Sequence, residues 1–305
     1  MSSLFQADYG ISDRLTVLFL GDSITDNGTY IAYMDAYFRQ HLPEKELQFI
    51  NLGVSSETAS GLSEPGHPFP RPCVHDRLGN ALRETKPDWV LIGYGMNDGI
   101  YHPFSEDRFA AYRKGVLDAI GQVKHVGAKA IVMTPPPFDA DSFGPNGALR
   151  SAGATSYDYA NPYADYDDVL RHYSRWILSL GDIVDGVVDI RTPLARYTEH
   201  RKKEEPGYKS GDGIHPNASG HWILARQLLQ SLFGATPERT PEYVERQRAS
   251  GFFTLVLERH RLLSAAWKEH VGHTSPNKAA ALPLAEALAQ AREIELRIRK
   301  RLSEQ

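Results

Sequence analysis

Five short apolar segments most constrain how this chain of 305 residues can fold. Each is almost continuously apolar instead of alternating with polar residues, which is typical of strands buried on both faces. Stretches with helical periodicity, such as Arg108–Val126, separate them. The alternation predicts right-handed crossovers and a three-layer α/β/α sandwich with a flavodoxin-like, parallel, five-stranded sheet. The segments are Leu15–Leu20, Leu47–Leu52, Trp89–Tyr94, Ala128–Thr134 and Gly186–Ile190.

The chain changes character after this unit. The last helix of the unit is predicted to start near Pro216, whose fixed φ suits a first helical turn, and to end at about Phe233. We therefore predict a main domain over residues 1–236 and a helical extension over residues 237–305.

The extension is predicted to be a helical hairpin. Its two helical stretches cover roughly Glu242–Val271 and Leu284–Leu302, and the turn Gly272–Asn277 separates them. Apolar residues recur every three or four positions in the second stretch, so one of its faces should be buried. Packing on the core would bury this face, and so would packing on a second subunit in a homodimer.

Charge and composition exclude several classes of protein. The 34 basic and 38 acidic residues are balanced, which argues against a nucleic-acid partner. Cys73 is the only cysteine, so an intrachain disulfide is excluded. No apolar run approaches the roughly 20 residues of a membrane span. Met1–Asp13 lacks the basic start and apolar core of a secretory signal, so cytoplasmic residence is expected unless a leader has been removed.

Polar clusters follow three of the predicted strands and precede the last helix of the unit. Because the carboxyl ends of parallel strands meet at one edge of a sheet, these clusters should converge there. They are Gly21–Thr25, Gly53–Ser56, Gly95–Asp98 and Asp212–Pro216.

The residue types in these clusters suit acyl transfer through a serine. A serine hydroxyl needs an adjacent base, and the base needs an orienting partner, roles that Ser23, His215 and Asp212 would fill. The oxyanion needs preorganised donors. The backbone N–H groups of Ser23 and Gly53 and the side-chain amide of Asn97 are the candidates.

The four blocks resemble those of the SGNH hydrolases, also called GDSL esterases, in order and spacing over about residues 14–233. The matching blocks are Gly21-Asp22-Ser23, Gly53, Gly95 to Asp98 and Asp212 to His215. The resemblance implies a serine carboxylic ester hydrolase that works through an acyl-enzyme without a cofactor. It also implies a triad of Ser23, Asp212 and His215, with Gly53 and Asn97 in the oxyanion hole.

Each block alone also has a purely structural interpretation. Gly-Asp-Ser is common where a strand enters a turn, Asp212 to Asn217 could simply start a helix, and Asn97 could close a turn. The combination in one order favours catalysis, while Asp98 is interpreted as structural. No metal site is predicted, because His67, His75 and His102 lack ligand spacing.

Aromatic residues in three loops, which follow the second, third and fourth strands, are candidates for the rim of the substrate pocket. They are His67, Phe69, Tyr101, Tyr157 and Tyr159. The alternative is that these residues only pack their own loops.

A tyrosine-rich rim without long apolar runs favours a small acyl group, acetyl above all, on a carbohydrate or similar polar alcohol. A lysophospholipase or thioesterase, which needs an apolar acyl channel, is the main rival. A non-catalytic module that binds a sugar or phosphate on the same fold is a second.

Overall fold

The computed structural model describes residues 14–144, 147–240 and 242–304. Residues Met1–Asp13, on which the expected localisation rests, lie outside this part of the chain. Each strand ends within two residues of its predicted bounds, so the five predicted strands are confirmed. They are β1 (Arg14–Gly21), β2 (Glu46–Asn51), β3 (Trp89–Gly93), β4 (Lys129–Met133) and β5 (Gly186–Val188).

Helices cover both faces of the sheet, as the three-layer prediction requires, and three more follow in the extension. Within the described residues, none combines the length and apolarity that crossing a bilayer requires. The helices are α1 (Ser23–Asn27), α2 (Thr29–His41), α3 (Leu78–Thr85), α4 (Glu106–His125), α5 (Ala140–Phe143), α6 (Tyr166–Leu178), α7 (Arg191–Glu204), α8 (Ala218–Phe233), α9 (Glu242–Ala249), α10 (Gly251–Val271) and α11 (Leu284–Ser303).

The strand order, β2-β1-β3-β4-β5, places β1 between β2 and β3. All neighbouring strands are parallel, and Gly21 at the end of β1 pairs with Gly93 at the end of β3. The chain therefore leaves β1 for β2 on one side and then crosses to β3 on the other. This reversal of direction is where ligands bind in open α/β sheets.

Two helix boundaries differ from the prediction. Asn217 caps α8, because its side chain accepts a hydrogen bond from the N–H of Gly220 at 3.0 Å, so Pro216 precedes the helix instead of opening it. The predicted single helix over Glu242–Val271 is two helices, α9 and α10. Ser250 between them has an extended backbone, which interrupts the helical hydrogen bonds.

The extension shares the hydrophobic core of the sheet domain. Phe252 and Val256 of α10 and Ile298 of α11 belong to the same buried cluster as the strand residues Leu18 and Phe19. The predicted division at residue 236 is therefore a change in sequence character and not a break in packing. The predicted apolar face of α11 packs against α10, so its burial needs no second subunit, and the homodimer stays a prediction.

A buried polar cluster ties α10 to α2. His260 Nε2 lies 2.8 Å from Asp35 Oδ2, and Arg39 Nε donates to Asp35 Oδ1 at 2.9 Å. Both His260 and Asp35 are almost fully buried. Loss of either partner would leave an uncompensated polar group in the interior, so this contact fixes where α10 docks.

We expect Phe252→Ala to destabilise the whole protein, because Phe252 is 1% exposed and its ring belongs to the common core. The free energy of unfolding should fall by about 3–5 kcal/mol in a single cooperative transition. Denaturant unfolding followed by circular dichroism measures this. The control Leu296→Ala, at a side chain 69% exposed on α11, should change it by less than about 0.5 kcal/mol. A separate early transition of the extension would contradict the shared core.

Candidate active site

The turn after β1 presents Ser23 as the first residue of α1. Asp22 caps this helix, because its Oδ1 accepts a hydrogen bond from the N–H of Ile24 at 3.0 Å. A Cβ on Gly21 would lie 2.3 Å from Thr25 Oγ1, so only glycine allows the chain to turn this tightly. The short helix thus starts directly at the carboxyl edge of the central strand.

The structure brings Ser23, His215 and Asp212 together in one hydrogen-bonded chain. His215 Nε2 lies 2.7 Å from Ser23 Oγ, and His215 Nδ1 lies 2.7 Å from Asp212 Oδ2. The other oxygen of Asp212 accepts from the N–H groups of Ile214 and His215 at 2.9 and 2.7 Å. An ionised carboxylate only accepts, so Nδ1 carries the proton and Nε2 is free to accept from the serine.

The pKa values of Asp212 and His215 shift in opposite directions. Burial raises the pKa of Asp212, but hydrogen bonds from the ring and N–H of His215 outweigh this and lower it to about 2. Burial lowers the pKa of His215, but the hydrogen bond to Asp212 and the charge of that carboxylate outweigh this and raise it. Asp212 is therefore ionised at neutral pH and stabilises a protonated imidazole.

Asn97 is buried next to the serine turn, and its amide has one orientation. Tyr101 donates its hydroxyl to Asn97 Oδ1 at 2.9 Å, and Asn97 Nδ2 donates to the carbonyl of Glu57 at 3.2 Å. With the oxygen facing Tyr101, the amide nitrogen faces the other way. Its second N–H has no acceptor among the described residues and is free for a ligand.

The role predicted for Gly53 is wrong. Its N–H donates to Asn51 Oδ1 at 2.8 Å, so this donor is already used inside the turn. A Cβ on Gly53 would lie 2.3 Å from the backbone nitrogen of Asp26 in α1. Glycine is required here because the loop packs against the helix that carries Ser23, and not because a substrate approaches.

Ser56 offers the donor that Gly53 lacks. Its φ of 67° is unusual for a residue with a Cβ, and in the described part of the chain no acceptor faces its N–H. Its carbonyl accepts from Arg71 Nη1 at 3.2 Å, and the next residue, Glu57, accepts from Asn97. The sequence does not single out Ser56, because serine is not a typical residue for positive φ. Its position in the loop after β2 was the only signal.

Two buried ion pairs hold the irregular loop that contains Ser56. Arg71 binds Glu64 through two hydrogen bonds of 2.6 Å, and Arg77 binds Glu57 at 2.7 and 2.6 Å. All four side chains are excluded from solvent. The loop therefore has a fixed shape although it contains only a single 3₁₀ turn.

Three of the predicted rim residues cluster beside Ser56. The ring of His67 lies 4.5 Å from that of Phe69 and 5.3 Å from that of Tyr159, and His67 Nε2 is 3.2 Å from Ser56 Oγ. Phe69 is partly exposed, and Tyr159 is 41% exposed. Part of each side chain is therefore in contact with solvent.

Tyr101 and Tyr157 are not rim residues, since they are only 2% and 6% exposed. Tyr157 donates to the carbonyl of Ser151 at 2.8 Å and so closes its own loop. Tyr101 stacks on Tyr166 with ring centres 5.0 Å apart and orients Asn97. The amino-acid composition of these loops does not distinguish buried tyrosines from exposed ones.

A cavity of about 150 Å³ opens beside His215. It is bordered by α7 and by the segment that precedes α8. Acidic and basic side chains contribute to its wall, including Asp139, Glu199 and Lys202. Its lining is therefore mixed in polarity and not a continuous apolar surface.

Comparison with known proteins identifies the family of the chain. The model of the GDSL-like lipase/acylhydrolase family matches residues 19–223, which is more than half of the chain. The chain belongs to this family. It is a serine carboxylic ester hydrolase of the GDSL type, as the resemblance in sequence implied.

The GDSL relatives include enzymes named for acetylxylan. An acetylxylan esterase of Geobacillus stearothermophilus is 25% identical over 242 residues, which cover 71% of this chain and 93% of the relative. The uncharacterised esterase YxiM of Bacillus subtilis is 26% identical over 196 residues, covering 63% of this chain and 44% of YxiM.

Solved structures show the same fold. An acetyl xylan esterase structure from Geobacillus stearothermophilus has a TM-score of 0.54 at 23% identity and covers 73% of this chain and 97% of its own. The acetyl xylan esterase AlAXEase has a TM-score of 0.54 at 19% identity, and the match covers 72% of this chain and 100% of AlAXEase. The α/β/α architecture is therefore that of GDSL esterases.

We expect the acid limb of the pH profile of kcat/KM to lie above the ordinary histidine pKa of 6.5. A general base must be neutral, so activity falls as the pH drops through the raised pKa of His215. Asp212→Asn removes the charge that raises this pKa. It should move the limb to lower pH and reduce kcat by about 10⁴-fold.

The matched control is Asp22→Asn. Burial raises the pKa of Asp22 to about 7, so this carboxyl is a second group that titrates in the same range. Asparagine keeps the oxygen that caps α1. Because the charge of Asp22 raises the pKa of His215 less than Asp212 does, the limb should move less than in Asp212→Asn. If the limb moved with Asp22→Asn but not with Asp212→Asn, the titrating group would be Asp22, and His215 would not be the base.

Proposed function

We propose that the protein removes acetyl groups from an acetylated carbohydrate, with Ser23 as nucleophile. The observation that carries the proposal is the chain of two 2.7 Å contacts from Ser23 Oγ through His215 to Asp212. This geometry gives the hydroxyl an acceptor for its proton and gives the acceptor a charged partner.

In the proposed acylation step, Ser23 Oγ attacks the ester carbonyl carbon while its proton moves to His215 Nε2. The tetrahedral intermediate collapses, the bond to the alcohol oxygen breaks, and His215 returns the proton to that oxygen. Water then attacks the acyl-enzyme, again losing a proton to His215, and Ser23 leaves with this proton as acetic acid is released. Asp212 stays ionised throughout and holds the imidazolium.

Three donors would stabilise the oxyanion in both steps: the backbone N–H groups of Ser23 and Ser56 and the amide of Asn97. Asn97 contributes here because Tyr101 and Glu57 fix its amide. Ser56 contributes because its N–H has no acceptor within the described structure and its loop is held by buried ion pairs. Preorganised donors of this kind lower the barrier without reorganising during the reaction.

The substrate class rests on the relatives and on the rim. The Geobacillus relative is named an acetylxylan esterase and aligns over 93% of its length. The partly exposed Phe69 and the exposed Tyr159 contact the ring of His67, which lies beside Ser56, and aromatic side chains of this kind suit stacking on a sugar ring. The cavity beside His215 has acidic and basic side chains in its wall, so this cavity itself does not suit the long acyl chain of a lysophospholipase substrate.

We expect the purified protein to cleave acetylated xylo-oligosaccharides and p-nitrophenyl acetate, with activity falling along the p-nitrophenyl series from acetyl to palmitoyl. A fluorophosphonate should label Ser23. Ser23→Ala should lose the label and about 10⁴-fold or more of kcat without unfolding, because only one oxygen is removed. The control Ser179→Ala, at an exposed serine, should keep both. Highest activity on palmitoyl esters would favour the lipase-like rival.

A second expectation tests the oxyanion role of Asn97 through Tyr101→Phe, which keeps the stacked ring and deletes one hydroxyl. The freed amide should lose its single orientation, so kcat should fall about 10-fold with KM little changed. Asn97→Ala itself should lower kcat by about 10²–10³-fold. The double variant should be no slower than Asn97→Ala, because the two changes remove one function.

Tyr112→Phe is the control for losing a buried tyrosine hydroxyl, since Tyr112 donates to the carbonyl of Tyr94 at 3.0 Å within the core. Its kcat should stay normal. Additive losses of kcat in the double variant would show that Tyr101 does not act through Asn97.

A further inference from the structure

One helix of the extension reaches the turn that carries the proposed oxyanion donor. Lys268 of α10 forms an ion pair with Asp26 of α1. The second oxygen of Asp26 accepts a hydrogen bond from Ser55 Oγ at 2.5 Å. The N–H of Ser56 belongs to the peptide bond between Ser55 and Ser56. A chain of two polar contacts therefore runs from α10 to the peptide that holds this donor.

The same helix also contacts the start of the turn. Ser264 donates to the carbonyl of Asn51 at 3.0 Å. The side chain of Asn51 in turn donates to the carbonyl of Thr25 at 2.7 Å and accepts from Gly53. Ser264 and Lys268 are four residues apart and so lie on one face of α10. This face of α10 therefore contacts both the turn that contains Ser56 and α1, the helix that begins with Ser23.

The turn needs external support because Ser56 has a left-handed backbone that side chains disfavour. Arg71 holds the carbonyl side of Ser56. On the other side a small cavity separates the turn from the extension, and its walls include Val54, Ser55, Lys268 and His273. Dense apolar packing does not hold this side. The hydrogen bond from the N–H of Glu57 to the carbonyl of Val54 at 3.1 Å closes the turn, and the contacts of Asp26 and Lys268 anchor it to the extension.

We propose that Lys268 is a positioning residue, which holds the Ser56 N–H in place through Asp26 and Ser55. Lys268 does not touch the substrate. The extension, which lies beyond the matched family segment, thereby becomes part of the catalytic apparatus. The inference rests on the proposed oxyanion role of Ser56 and would make turnover depend on α10.

The test compares Lys268→Met with Lys278→Met in the full chain. Lys278 forms an exposed ion pair with Glu269, the neighbour of Lys268, and is the matched control. With p-nitrophenyl acetate we expect Lys268→Met to lower kcat about 10-fold with KM little changed, since the lost donor acts in the transition state. Lys268→Arg, which can still pair with Asp26, should restore most of kcat. Lys278→Met should match the wild type.

Ser55→Ala is the second variant, because it deletes only the hydroxyl that links the chain to the turn. Its kcat should fall similarly, and adding Lys268→Met should lower kcat little further. Melting temperatures are measured in parallel. Equal kcat in Lys268→Met and wild type would overturn the inference, as would a loss that Ser55→Ala does not share. A wild type that fluorophosphonate does not label at Ser23 would instead overturn the proposed function, and the inference with it.

Discussion

Parallel pairing of β1 with both of its neighbours is the constraint on which the rest of the site depends. Because the pairing is in register at Gly21 and Gly93, the turns after the three strands begin at the same edge. Ser23 follows the central strand, while Ser56 and Asn97 follow the strands on either side. The topology therefore places the proposed nucleophile between the two proposed oxyanion donors. Only the proposed base and its carboxylate come from another segment, the one before α8.

Ordering the irregular loop after β2 costs conformational entropy, and buried ion pairs hold the loop in one conformation. Desolvation of the Arg71–Glu64 and Arg77–Glu57 pairs offsets much of their attraction, so they are poor sources of net stability. Their guanidinium groups also satisfy backbone carbonyls that no strand or helix satisfies, including that of Ser56. We interpret these pairs as devices that select one loop conformation, which apolar side chains without hydrogen bonds could not specify.

The sheet and the contacts that join Ser23, His215 and Asp212 could be predicted because their signals are local. Continuous apolar segments mark the strands, and the Asp-x-x-His spacing places His215 and its carboxylate in one turn. The errors concern contacts between distant segments. Glycine permits close approach at position 53, but α1 packs there and not a substrate. The N–H that lacks an acceptor among the described residues is that of Ser56. The burial of Tyr101 and Tyr157 depends on how two long loops fold over each other, which composition does not reveal.

The extension shows why an amphipathic pattern predicts burial without predicting purpose. The predicted apolar stripe of α11 is buried against α10, and α10 in turn packs on α2 and on β2, the edge strand of the sheet. An edge strand exposes unpaired backbone groups, so covering it protects the fold. The same helix presents Ser264 to the carbonyl at the end of β2 and Lys268 to the helix of the nucleophile. Since one helix both covers the edge and contacts the catalytic turns, docking of the extension couples the stability of the fold to the geometry of the site.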